Sequence, residues 1–135
     1  YSRMLKSNPD LLRELQGDFY FSLKGDKIDG KDFTSKPILF KIGENNGFDM
    51  VGAQYLRHYI EQGHELAKVP LTPKQIEALD VFDSELEHPD NLLVSDYVKG
   101  GFYVLNNHRV LHGRSAYQDH NGDRKRELLR IWTKP

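Results

Sequence analysis

The amino-acid sequence predicts an α+β fold, and three observations carry that prediction. Stretches rich in aromatic and β-branched residues, such as "DFYFSL" (18–23) and "KPILFKI" (36–42), read as strands. Between and around them lie segments whose apolar residues fall three and four apart, the spacing of helices. In the C-terminal third, strand-like runs follow one another across a glycine-rich turn, with no room for a crossover helix. Together these describe several antiparallel strands with two or three helices packed on them.

The elements follow in order. In "SNPDLLRELQG" (7–17), Asn8 can cap a helix, Pro9 suits its first position, Asp10 suits the first-turn dipole and Gly17 can end it. "GDKIDGKD" (25–32) is turn-like and separates the first two strands. After a Gly/Asn turn (43–47), "AQYLRHYIEQGHELA" (53–67) carries Tyr55, Leu56, Tyr59 and Ile60 at helical spacing. "LTPKQIEALDVFDSELEHP" (71–89) opens with Thr72 as cap, Pro73 at the first position and Gln75 closing a capping box. Its apolar stripe of Ile76, Leu79, Phe82 and Leu86 faces the core. "LLVSDYV" (92–98) and "FYVLNN" (102–107), joined through Lys-Gly-Gly, predict a hairpin. A polar loop then leads to a last strand, "RELLRIWT" (126–133).

Composition narrows the function. With 135 residues, 38% of them apolar and 29% charged, the chain suits one domain with a modest core. Runs such as "PILF" (37–40) fall far below the roughly 18 residues of a membrane span. No signal-peptide core opens the chain, and a cytoplasmic location is the default expectation. Nineteen basic against twenty acidic residues give a net charge of −1, which argues against a nucleic-acid binder. There is no cysteine, so any metal must be held by histidine and oxygen ligands.

In the last strand side chains alternate. Leu129 and Ile131 point one way, and Arg126, Leu128, Arg130 and Trp132 the other. Two readings of the arginine face stand. It is a solvated face, or it lines a cavity in which each guanidinium clamps a carboxylate through paired hydrogen bonds.

Upstream, "NNHRVLHGRSAY" (106–117) packs two asparagines, two histidines and two arginines around a thin apolar thread. His108 and His112, four apart, share one side of a helix or a strand. With the strand that follows, "GGFYVLNNHRVLHGRSAY…RKRELLRIW" resembles the C-terminal signature of the TauD/TfdA-like (clavaminate-synthase-like) Fe(II)/2-oxoglutarate-dependent dioxygenases. The match is dense over 92–133. It continues more weakly through "NPDLLRELQGDFYF" and "YIEQGHELAKVPLTPKQIEALD", and so spans the whole chain.

This resemblance implies a double-stranded β-helix, or jelly roll, with flanking helices. It implies iron held by two histidines and one carboxylate, with positions left open for 2-oxoglutarate and oxygen. His112 would be the distal histidine ligand. Arg126 would grip the far carboxylate of 2-oxoglutarate, and Arg130 would help hold the co-substrate or an anionic substrate group. Asn107 and Arg109 would be supporting or substrate-side residues. The implied reaction oxidises a small organic substrate and releases succinate and CO2.

One part of the family pattern is missing. Its His-x-carboxylate pair has a single literal match, His88–Asp90, which ends the capped helix, encloses a proline and lies too close to His112. None of the other five histidines has a carboxylate two residues on. The chain also opens on Tyr1. The expectation is therefore the C-terminal portion of the family fold, an incomplete half that does not turn over alone. Such a half would expose sheet edges and apolar surface and so self-associate as a homo-oligomer. The alternative is a non-catalytic jelly-roll module that binds a carboxylate or a partner chain. A His/Asn metal nuclease, suggested by "NNHRVLH", is disfavoured by the charge balance. The substrate stays open. Arg57 and Tyr59 either reach a pocket or belong to an ordinary amphipathic helix.

Overall fold

Proline placement divides the N-terminal helical segment in two. The residue before a proline is pushed out of the α region, and Asn8 accordingly has φ −141°. One helix, α1 (Ser2–Ser7), ends there, and a second, α2 (Pro9–Leu15), begins. Asn8 caps through its backbone: its carbonyl accepts the Leu12 N–H at 3.0 Å, while its side chain makes no capping bond. This corrects the expected side-chain cap. The computed structural model describes residues 1–96, 98–114, 116 and 128–132.

Strand β1 (Asp18–Ser22) pairs antiparallel with β2 (Phe33–Pro37), in a register running from Asp18 opposite Pro37 to Ser22 opposite Phe33. The expected strand over 36–42 is in fact two. Pro37 has no N–H with which to extend a ladder, so the chain leaves the first sheet at Ile38. That residue is fully buried; its N–H donates to the Leu15 carbonyl and its carbonyl accepts from Gln54. It then starts β3 (Leu39–Asn45), which pairs antiparallel with β4 (Phe48–Ala53). Asn46 and Gly47 make the two-residue turn with φ of 52° and 77°. Two left-handed residues in succession suit the twist of a tight hairpin. Only the turn was expected here; β4 was not.

Helix α3 (Arg57–Ala67) starts after Tyr55 and Leu56 rather than including them. It lies against β1 at a place where a side chain has no room. A Cβ on Gly63 would overlap the Tyr20 carbonyl, so helix and strand meet backbone to backbone. Beside it, the buried His64 accepts the Tyr20 N–H on Nε2 at 3.2 Å, and its Nδ1 pairs with the Val69 carbonyl at 2.8 Å. Nδ1 therefore carries the proton, and the neutral ring covers the β1 edge that β2 leaves free.

Helix α4 (Pro73–Glu87) carries the expected capping box, with both the Gln75 N–H and the Thr72 N–H satisfied by the partner's side chain. Leu79 and Phe82 are buried with Ala78, whereas Ile76 faces solvent. They join Met4, Leu12, Leu15, Phe19, Ile38 and Ile60 in one core between the helices and β1.

The chain is thus α+β, as expected. Among the described residues its strands form two separate two-stranded sheets, short of the roughly eight strands of a jelly roll. The expected hairpin over 92–107 forms no ladder among its described residues. Gly100 makes the turn, and the Tyr103 hydroxyl ties the arms by donating to the Asp96 carbonyl at 2.8 Å. Leu93 is 97% exposed and Val104 86%. With neither face of the arms covered, no apolar burial offsets the entropy of ordering a strand pair. Of the expected last strand, 128–132 are described and carry no strand. No helix among the described residues is long and apolar enough to cross a membrane.

Candidate functional site

The histidine-bearing segment is built on a turn that Asn106 closes. Its side-chain Oδ1 accepts the His108 N–H at 3.0 Å, and its carbonyl accepts the N–H groups of Arg109 and Val110 at 2.9 and 3.0 Å. Asparagine does this readily because its short amide reaches the backbone two residues on. The turn sits on the outer edge of β4, where the His108 carbonyl accepts the Ala53 N–H at 2.8 Å. Gly52 permits the approach: a Cβ there would lie 3.1 Å from the His108 oxygen and nearer still to the side chains of Ile42 and Phe40. The His108 ring meets Phe40 edge to face, with centroids 5.9 Å apart. Leu111 then packs against the core.

The candidate residues separate along this segment. Asn107 is half-buried in the turn. Arg109 lines a shallow hollow of about 450 Å³ with Tyr1, Asn45, Asn46, Phe48 and Asp49. Asp49 is already engaged there by the Lys41 ammonium at 2.5 Å. That contact, with Glu44 second, raises the Lys41 pKa above its ordinary value. His112 is exposed. Arg130 is exposed too, its guanidinium 5.8 Å from the centre of the Trp132 ring. Among the described residues no hydrogen bond or ion pair joins His112 to Arg130. Arg126 lies outside the described residues.

The donor set decides what the described residues can hold. Among them, no three His, Asp or Glu side chains gather as a metal-binding group. The one His-x-carboxylate is occupied otherwise. His88 Nδ1 caps the short 3₁₀ turn Pro89–Asn91 by accepting the Asp90 N–H, and Arg3 bridges Asp90 at 3.3 Å and Glu85 at 3.0 Å. This pair ties α1 to the end of α4. The described residues therefore do not by themselves fit a two-histidine, one-carboxylate iron site.

A charged cluster went unseen in the sequence. Arg57 reaches Asp80 and Asp83 at 2.7 Å each and Glu61 at 2.9 Å. The Tyr55 hydroxyl donates to Asp83 at 2.5 Å, and its ring meets Phe82 edge to face at 5.0 Å. Hydrogen bonding to Asp83 is the main cause holding the Arg57 pKa above its usual value. Burial first, and the bond to Asp83 second, push the Tyr55 hydroxyl pKa above its ordinary value. Arg57 thus ties α3 to α4, while Tyr59 carries the Lys24 ammonium 4.1 Å over its ring. The signal available beforehand was Arg57/Glu61 and Asp80/Asp83, each pair on one helical face.

Comparison with known families gives one result. Residues 1–132 match the family described as "Taurine catabolism dioxygenase TauD, TfdA family". No individually curated protein matches the chain.

Proposed function

Because the chain belongs to the TauD/TfdA family of dioxygenases, we propose that it forms part of an Fe(II)/2-oxoglutarate-dependent oxygenase. The observation that carries this reading is the family match along 132 of the 135 residues. The reaction class couples insertion of one oxygen atom of O2 into a small organic substrate to oxidation of 2-oxoglutarate, which takes the other atom and leaves as succinate and CO2. On this reading His112 is one iron ligand, Arg126 and Arg130 bind carboxylate, and Asn107 and Arg109 border the substrate. A jelly-roll core and a small-molecule substrate belong to the same proposal, with neither nucleic acid nor membrane as partner.

The family's His-x-carboxylate pair has one literal match in these 135 residues, His88–Asp90, which is committed to the helix end. On the oxygenase reading, groups outside these 135 residues complete the site. A second reading, a non-catalytic family member that binds a carboxylate ligand or a partner chain, draws support from the missing three-ligand group among the described residues.

The test is succinate release by the full-length protein supplied with Fe(II), 2-oxoglutarate and oxygen. Iron-dependent release that His112→Ala lowers by about a hundredfold or more supports the oxygenase. Residues 1–135 alone are expected to release none. Iron-dependent release that is indifferent to His112 would sink the ligand assignment, and no release by the full-length protein would favour the non-catalytic reading.

A further inference from the structure

His108 and His112 share the spacing of a metal-ligand pair, and the contacts of His108 assign it a different task. Its main chain is engaged on both sides, by the Asn106 amide oxygen and by the Ala53 N–H at the end of β4. Its ring is used as a plane, edge to face with Phe40 at an interplanar angle of 77°. Among the described residues no hydrogen bond uses either ring nitrogen of His108. Gly52 leaves the space its carbonyl needs. These contacts seat the histidine-bearing turn on the open edge of β4 through one backbone hydrogen bond and one ring contact. We propose that His108 is a positioning residue that docks this segment on the β3–β4 hairpin and so sets where His112, four residues on, stands.

The proposal rests on the oxygenase reading only for what His112 does; the docking is independent of it. Four extended residues span at most ~13 Å, so fixing His108 confines His112 to the neighbourhood of the hairpin. A ring that acts through packing can be replaced by another ring, whereas a ring that acts through its nitrogens cannot.

Amide hydrogen exchange at Ala53, followed by NMR on the 135-residue chain, reads the docking directly. His108→Ala should lower protection at Ala53 by about tenfold, because losing the ring contact lets the backbone carbonyl at 108 leave the Ala53 N–H more often. Protection along the paired residues of β3 and β4 should stay intact. His108→Phe should restore Ala53. If His108→Ala also loosens the hairpin, Phe40→Leu replaces it, with the same selective loss expected at Ala53. Full protection at Ala53 in both His108→Ala and Phe40→Leu overturns the proposal. So does a Phe variant as deprotected as the Ala variant, because that outcome assigns the role to the ring nitrogens. In the full-length protein, turnover lost in His108→Ala should return in His108→Phe. If wild type shows no turnover, the oxygenase reading fails while the exchange result still decides the docking.

Discussion

At Gly63 the usual ranking of helix formers is reversed. Alanine in place of glycine within a helix ordinarily gains up to about 1 kcal/mol. Here the new Cβ would meet the main chain of Tyr20 and Phe21, which cannot yield without moving β1. Gly63→Ala should therefore lower the urea midpoint, with a net loss on the order of 2 kcal/mol. Gly113→Ala, whose Cβ meets nothing within 4 Å, should leave that midpoint in place. An unchanged midpoint for Gly63→Ala would mean that α3 does not approach β1 as described. The sequence displayed this glycine inside a helical pattern, yet nothing local said what stood opposite. His64 shows the same limit: nothing local to it points to its partner, the Tyr20 N–H, 44 positions away.

At the scale of elements, local chemistry was the most legible. Thr72, Pro73 and Gln75 write their capping box within four residues, and it forms as read. Asn46–Gly47 marks a turn by its need for positive φ. β4 escaped notice because Asp49 and Gly52 weaken its strand character; pairing with β3 makes it a strand. The junction of α3 and α4 rests on the Arg57 cluster, and its pH dependence follows from Tyr55. In the folded chain burial and Asp83 favour the neutral hydroxyl, so its pKa lies above the unfolded value. Its contribution is whole below the ordinary tyrosine value near 10 and is lost as pH rises beyond it. Thermal unfolding should therefore show a falling melting temperature on the alkaline side. Tyr55→Phe should flatten that limb while lowering stability near neutrality. An alkaline limb of equal slope in both proteins would deny Tyr55 this role.

Across the whole molecule, the N-terminal two-thirds is a packed α+β unit, and the described residues of the C-terminal third present most of their apolar side chains outward. Leu129 and Ile131, which alternation places on one face of the expected last strand, are 87% and 84% exposed, and Trp132 on the other face is 70% exposed. Alternation in a sequence tells which residues share a face. It does not say that another layer is there to cover either one. For the same reason the turn that Asn106 closes fell inside the expected strand over 102–107, and its seat on β4 had no local sign. The proposed oxygenase reading gives His112 and the two arginines of the last segment a chemical use that neither pattern nor geometry provides. The most direct test of that use is the KM for 2-oxoglutarate in the full-length protein with Arg126→Met. Losing a charge-assisted carboxylate clamp costs roughly 1.5–3 kcal/mol, which is a rise in KM of about tenfold to a hundredfold. Such a rise, with the KM for the oxidised substrate little changed, is the expected result; an unaltered KM for 2-oxoglutarate would contradict the assignment.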